Sequence, residues 1–362
     1  MFKKIYIENF RSIDSLEVDD LQQVNLIVGE NNSGKSTLLE SIFLLISPTN
    51  PRLYFNINAF RGIELFDLNA LLLNFREMKE KNVIKLTGEL KPFQRRELTI
   101  KPYRESNQNF ISDNQSLEEP MTMEVRSKRV NGLLFESSFS LSRIRKGKRA
   151  KAQDKEVKLR ATPDSSGLSI QRLKDSDPYT ESLNGVFINS QNLLIDIGAR
   201  FNNVQLKKEK NRIIKVLKKI MPSLIDITLG NEGIIYCDIG YDRYLPLNVM
   251  GDGMIHILAI VLALSDTENG VVLIDEIETG FYYDYQELLW DTIFETAKEF
   301  NVQVFATTHS LECVNALLNS YTKFKNENLR LFRIENNKGK YKVEGYDFEK
   351  LSASIRGGWE VR

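Results

Sequence analysis

Residues Gly29-Glu30-Asn31-Asn32-Ser33-Gly34-Lys35-Ser36-Thr37 fit the pattern G-x-x-x-x-G-K-[ST] at every fixed position. Glycines at these places let backbone N–H groups turn inward around phosphates, and a helix that begins at the loop adds its partial positive charge. Lys35 would reach the β- and γ-phosphates of a bound nucleotide, and the Ser36 hydroxyl would hold Mg²⁺. Gly29, Asn31, Asn32, Ser33, Gly34, Lys35, Ser36 and Thr37 are therefore candidate nucleotide contacts. The chemistry needs a strand before the loop and a helix after it. Val24 to Val28 is a short apolar run that reads as a buried strand, and Ser36 to Ser47 reads as a helix with an apolar face.

A second set of candidates lies far downstream. Gly270-Val271-Val272-Leu273-Ile274 is an apolar strand ending in Asp275 and Glu276. An acid in the first position is suited to bind Mg²⁺ through water, and the second would accept a proton from, and aim, an attacking water. Both are what the mechanism of a phosphate loop demands. Val302 to Thr307 is another apolar strand, followed by His309. His309 would touch the γ-phosphate or the attacking water, or else cap a strand-to-helix turn. A simple phosphate-loop fold brings its two halves together over a short stretch, so roughly a hundred or more residues must be inserted between Lys35 and Asp275.

Composition sets the outer limits. With 42% hydrophobic and 27% charged residues the chain reads as a soluble globular protein, and its net charge of zero implies no partner. Cys237 and Cys313 stand singly in apolar surroundings. With two histidines in the whole chain they cannot build a zinc site of the usual kind, and they read as buried thiols in a reducing compartment. No apolar run reaches the roughly 18 residues of a membrane span, and the N-terminus lacks the apolar core of a signal peptide. The expectation is a cytoplasmic protein with no membrane part.

Phe2 to Phe10 reads as a strand paired with Asp14 to Val18, and Leu65 to Phe75 reads as a helix. Strands are expected at Val83–Leu90, Glu97–Pro102, Met121–Arg126 and Gly132–Leu141, with a polar loop over 104–120. Arg143 to Arg160 carries nine basic and two acidic residues, which face solvent or contact nucleic acid. Val204 to Ile220 has a helical pattern with many lysines, and Gly251-Asp252-Gly253 opens an apolar helix, Met254 to Leu264. Helices are expected at Tyr285–Phe300 and Leu311–Leu318. Leu329–Glu335 and Lys340–Glu344 read as a terminal hairpin.

Together these motifs resemble the ATP-binding-cassette (ABC) class of ATPases, in the branch containing SMC, RecF and OLD-type proteins. Ile7-Glu8-Asn9-Phe10-Arg11-Ser12-Ile13 looks like the opening of that branch. Gly29 to Thr37 is its Walker A loop, Leu273 to Glu276 its Walker B strand, Thr307 to Ser310 its switch-histidine segment, and Glu278 to Phe281 the start of its D-loop. The resemblance implies an α/β P-loop NTPase head with a β-rich and helical insertion between Walker A and Walker B. It also implies ATP and Mg²⁺ as ligands, with Arg11 near the adenine. Residues 1–103 and 241–362 would form the head, 104–185 a β-rich basic insertion, and 186–240 a short helical counterpart of the SMC arm. Two heads would close around ATP, as a homodimer or a higher homo-oligomer. Gly251, Asp252 and Gly253 of one head would meet the γ-phosphate held by the other. Three departures stand out. The signature stretch Met250-Gly251-Asp252-Gly253-Met254 has no serine. No glutamine lies between Thr37 and Phe93, so no Q-loop is assigned, and Tyr282 replaces a histidine common in the branch.

The stretch after His309 is too short for the TOPRIM nuclease domain of OLD-type proteins and shows no D-x-D. The chain thus looks like an ATPase without its own nuclease. In this it is similar to stand-alone ATPase subunits of bacterial anti-phage systems, which act with a separate effector that is often TOPRIM-like. The alternatives are a RecF-type repair ATPase that binds duplex DNA through Arg143–Arg160 and the lysines of 207–219, a transporter ATPase, or a scaffold that holds ATP without hydrolysing it.

Overall fold

The apolar runs beside the candidate residues become neighbouring strands of one sheet. The computed structural model describes residues 1–63, 70–91, 94–104, 130–145, 148–164, 167–281, 283–324 and 328–358. In chain order the strands are β1 (Phe2–Phe10), β2 (Ile13–Val18), β3 (Val24–Val28), β4 (Ile84–Leu90), β5 (Gln94–Tyr103), β6 (Gly132–Arg145), β7 (Lys148–Asp164) and β8 (Gly167–Arg172). They continue with β9 (Gly185–Ile188), β10 (Asp226–Leu229), β11 (Ile235–Asp238), β12 (Leu245–Pro246), β13 (Val271–Ile274), β14 (Gln303–Thr307), β15 (Leu329–Asn337) and β16 (Lys340–Tyr346). The helices are α1 (Lys35–Ile46), α2 (Arg52–Ala59), α3 (Ile197–Leu206), α4 (Lys210–Ile220), α5 (Asp252–Asp266), α6 (Tyr283–Glu299), α7 (Leu311–Phe324) and α8 (Phe348–Arg356).

The central sheet has the order β16-β15-β3-β14-β13-β9, parallel except for the edge strand β16. Its inner strands β3, β14 and β13 are largely apolar because both faces are covered. Successive side chains point to opposite faces. Leu26, Val28, Val272, Ile274, Val304 and Ala306 therefore join one core, among the helices α3 to α8. Ile27, Val271, Leu273 and Phe305 join the other, against α1 and a second sheet. That second sheet is antiparallel in the order β2-β1-β4-β5-β6-β7-β8. Helix α1 lies between the two sheets, and every residue from Thr37 to Ile46 is buried. Enclosure on all sides is why the Thr37–Ile46 stretch is apolar beyond a one-faced pattern, its buried Glu40 being paired with arginines.

Several expectations change here. β5 pairs with β6 from Gln94↔Leu141 to Tyr103↔Gly132, so one sheet runs through the expected boundary at residue 103. The single helix expected over Val204–Ile220 is two helices, α3 and α4, broken where Lys208 takes a positive φ of 63°. They pack on α5 and bury Phe201, Val204, Ile213 and Leu217 completely, so this segment is a cap on the helical core and does not extend as an arm. Residues 70–75 form turns rather than the end of a helix, and the rest of the helix expected from Leu65 lies outside the described residues, as do the strand expected over Met121–Arg126 and Tyr282. The terminal helix α8 has an amphipathic pattern that the sequence reading passed over. Its N-cap Asp347 accepts from the Lys350 N–H at 2.8 Å. Both cysteines are free and buried. Among the described residues no helix is long and apolar enough to cross a membrane.

Candidate functional site

Strand order decides where the candidate residues meet. β14 lies between β3 and β13, in a register that sets Thr307 opposite Ile27 and Ala306 opposite Ile274. The phosphate loop, the acid pair and the Thr307–Ser310 segment therefore leave the sheet at the same edge, past the carboxyl ends of parallel strands. In the loop, Gly29 has φ 148° and Gly34 has φ 98°. A Cβ on Gly29 would sit 2.5 Å from the Ile334 carbonyl oxygen, so a side chain is excluded twice over, by conformation and by space. Asn31 and Asn32 are exposed, whereas Ser33 and Thr37 are buried. Lys35 Nζ donates to the Gly29 and Glu30 carbonyls at 2.8 and 2.9 Å. Burial pulls its pKa down, and the charges of Asp275, Glu276 and Glu278 oppose that shift.

Across the sheet, Ser36 Oγ donates to Asp275 Oδ1 at 3.1 Å, closing a gap of 239 residues in sequence. Thr307 Oγ1 holds both acids: it donates to Asp275 Oδ1 at 2.6 Å and accepts from the Glu276 N–H at 2.8 Å. Glu276 itself is at φ 55°, where the chain leaves β13. A hydroxyl and a carboxylate at this separation suit Mg²⁺, which takes one or two protein oxygens and completes its shell with phosphate and water. Among the described residues no three His, Cys, Asp or Glu side chains form a self-sufficient metal cage. The pair thus fits a metal that arrives with a nucleotide.

The pocket at this edge has a volume of 160 Å³, and Ser36, Arg61, Gln191, Asp275 and Glu276 are among its lining residues. Gln191 brings a glutamine to this pocket from well beyond the Thr37–Phe93 interval, which has none. It follows β9, the strand paired with β13, and an Asx turn fixes its loop: Asn189 Oδ1 accepts from the N–H groups of Gln191 and Asn192 at 3.0 and 2.9 Å. The readable signal was the short apolar run Gly185-Val186-Phe187-Ile188 ending in Asn-Ser-Gln, displaced far downstream by the insertion. Arg61 was also missed. It pairs with the buried Glu40 at 2.8 Å, and Glu40 also meets Arg11 Nε at 2.7 Å. Burial pushes the Glu40 carboxyl up, and the two guanidinium groups partly offset this. Arg11, expected beside the adenine, is held to α1 by that pairing and to α2 by a 3.3 Å bond to Asn58 Oδ1.

His309 follows β14 as expected, but its partner is Glu278, with Nδ1 and Oε1 at 2.9 Å. Gly251, Asp252 and Gly253 form the exposed or half-exposed start of α5. They are not among the residues lining the Ser36–Asp275 pocket. They abut the D-loop segment instead: a Cβ on Gly253 would lie 3.5 Å from the Gly280 carbonyl, and His256 one turn on meets Phe281 edge-on.

A central parallel sheet, with a phosphate loop and an acid pair two strands apart, gives the chain the P-loop fold of an ABC-type ATPase head. Within that class the chain belongs to the family described as "AAA domain, putative AbiEii toxin, Type IV TA system", whose family model matches residues 24–315. It is 24% identical over 341 residues to a protein named ATP/GTP phosphatase from Helicobacter pylori, covering 88% of this chain and 87% of that protein. A DNA replication and repair protein RecF from Clostridium acetobutylicum is 46% identical over 41 residues, 11% of each chain. Among solved structures, an Smc head bound to the C-winged helix domain of ScpA superposes with a TM-score of 0.51 at 13% identity. That match covers 97% of this chain and 99% of the other.

Proposed function

We propose that this chain is an ATP-binding and ATP-hydrolysing switch, whose heads close on each other around Mg-ATP and so control a separate effector. The observation that carries the reading is the Ser36–Asp275 contact with Glu276 beside it, brought together from opposite ends of the chain. In this account the loop N–H groups and Lys35 bind the β- and γ-phosphates, and Ser36 and Asp275 hold Mg²⁺. The metal would neutralise charge developing on the transferred phosphoryl group. Glu276 orients the attacking water and takes its proton, and Gln191 stands where it would meet the same water or the metal's shell. Gly251 to Gly253, remote from the pocket of their own chain, would offer backbone N–H groups to the γ-phosphate of a second head. The family description, which names a toxin of a toxin–antitoxin system, supports a role in bacterial anti-phage defence.

Three of the lysines expected to hold duplex DNA, and Arg212 beside them, also make ion pairs within the fold. Lys210 pairs with Asp226, Lys219 with Glu295, Arg212 with Glu299 and Lys158 with Asp175. The switch reading is tested by two variants. Lys35→Ala should abolish ATP binding measured by calorimetry. Glu276→Gln should bind ATP normally and hydrolyse it about 10²–10⁴ times more slowly. Full turnover by Glu276→Gln would remove that residue from the mechanism.

A further inference from the structure

Glu278 has no role in the site as described so far, yet its placement is tightly built. Ile277 is buried and donates its N–H to the Thr307 carbonyl at 3.0 Å, which lays the turn after β13 along the end of β14. Thr308, fully buried, donates to the Ile27 carbonyl at 3.1 Å and ties the same segment to the phosphate-loop strand. His309 is thereby held between the two halves of the site. Glu278 Oε1 receives its backbone N–H at 3.0 Å and lies 2.9 Å from its Nδ1. The carboxylate is 10% exposed and the imidazole 56% exposed. The other oxygen, Oε2, is buried without a hydrogen-bond partner among the described residues. Among the described residues its hydrogen bonds come through Oε1 from His309, which gives the carboxylate strong reason to keep that pairing.

We propose that Glu278 is a positioning residue that fixes the tautomer of His309 and so decides what this ring offers to the nucleotide. A carboxylate only accepts, so Nδ1 must carry the proton, and in the neutral ring Nε2 is then an acceptor. An acceptor suits the O–H of an attacking water and repels a γ-phosphate oxygen. Neutral His309 therefore addresses the water, and it turns to the phosphate only after taking up a proton at Nε2, when both nitrogens donate. The proton that the attacking water loses goes to Glu276, and Nε2 accepts a hydrogen bond from the other O–H; a proton for Nε2 itself is drawn from solvent. The proposal rests on the ATPase reading, but its first test does not.

The chain has two histidines, His256 and His309, so long-range ¹H–¹⁵N spectra of histidine-labelled protein are assignable with a His256→Gln variant. Neutral His309 should carry its proton on Nδ1 in the wild type and shift toward Nε2–H in Glu278→Ala. Glu278→Gln, which retains an acceptor oxygen, should keep Nδ1–H. An unchanged tautomer in Glu278→Ala, or a Gln variant that behaves like Ala, would overturn the proposal. In turnover, Glu278→Ala and His309→Ala should each lower kcat about 10–100-fold with KM for ATP unchanged, and the double variant should fall no further. Multiplicative losses in the double variant would mean that the two residues act independently. Absence of turnover in the wild type would count against the ATPase reading, while the tautomer measurement would still decide the role of Glu278.

Discussion

A single hydroxyl on Thr307 serves both acids of the candidate site, donating to Asp275 and accepting from the Glu276 backbone. Thr307→Val keeps the shape and removes both bonds. It should raise the Mg²⁺ requirement for ATP turnover about 10–100-fold, the usual cost of losing an outer-shell partner. It should also lower stability by about 1–3 kcal/mol. A Mg²⁺ titration and a denaturant melt read the two effects, and Thr307→Ser should restore the first. Residue chemistry was legible wherever it was local. Gly29 to Thr37 and Asp275–Glu276 declare themselves by spacing and by the apolar strands that precede them. The tasks of Thr307 and Glu278 were not legible, because they depend on the register of β14 against β13 and on the turn that follows.

Among the elements, α1 shows most clearly how packing exceeds pattern. Its first turn carries Lys35 and Ser36. One turn after Ser36, Glu40 sits 4% exposed between Arg11, from the turn after β1, and Arg61, from the turn after α2. Glu40→Gln would leave the largely buried Arg11 without its counter-charge. The expected cost is about 3–5 kcal/mol, measured by denaturant unfolding, and a loss under about 1 kcal/mol would show that the pairing is replaceable. Strands and helices of this chain were largely foreseeable from period and punctuation, including the terminal hairpin around Asn336 to Gly339. The break at Lys207–Glu209 was not, since the lysines there fit a continuous helix as well as two. Arg11 was placed near the adenine by resemblance alone, and its pairing with Glu40 depends on how the turn after β1 packs on α1, which the sequence does not show.

At the scale of the molecule, the chain brings its two ends into one sheet and lays the intervening residues on either side. β4 to β8 extend the N-terminal hairpin into a seven-stranded sheet, and α3, α4 and β10 to β12 cap the helical core. The need for an insertion followed from the distance between Lys35 and Asp275. Its division into a sheet extension and a cap did not, because strand pairing across β5 and β6 is a long-range choice. The same insertion carried Gln191 far from the phosphate loop, where a search of nearby sequence could not reach it. In the proposed function the N–H groups at the Gly251–Gly253 helix start, which do not line the Ser36–Asp275 pocket of their own chain, serve a second head. The most direct test is the solution mass of Glu276→Gln by light scattering, with Mg-ATP and with ADP. The account predicts a mass that doubles with ATP and not with ADP. A monomer in both nucleotides would contradict closure of two heads around ATP.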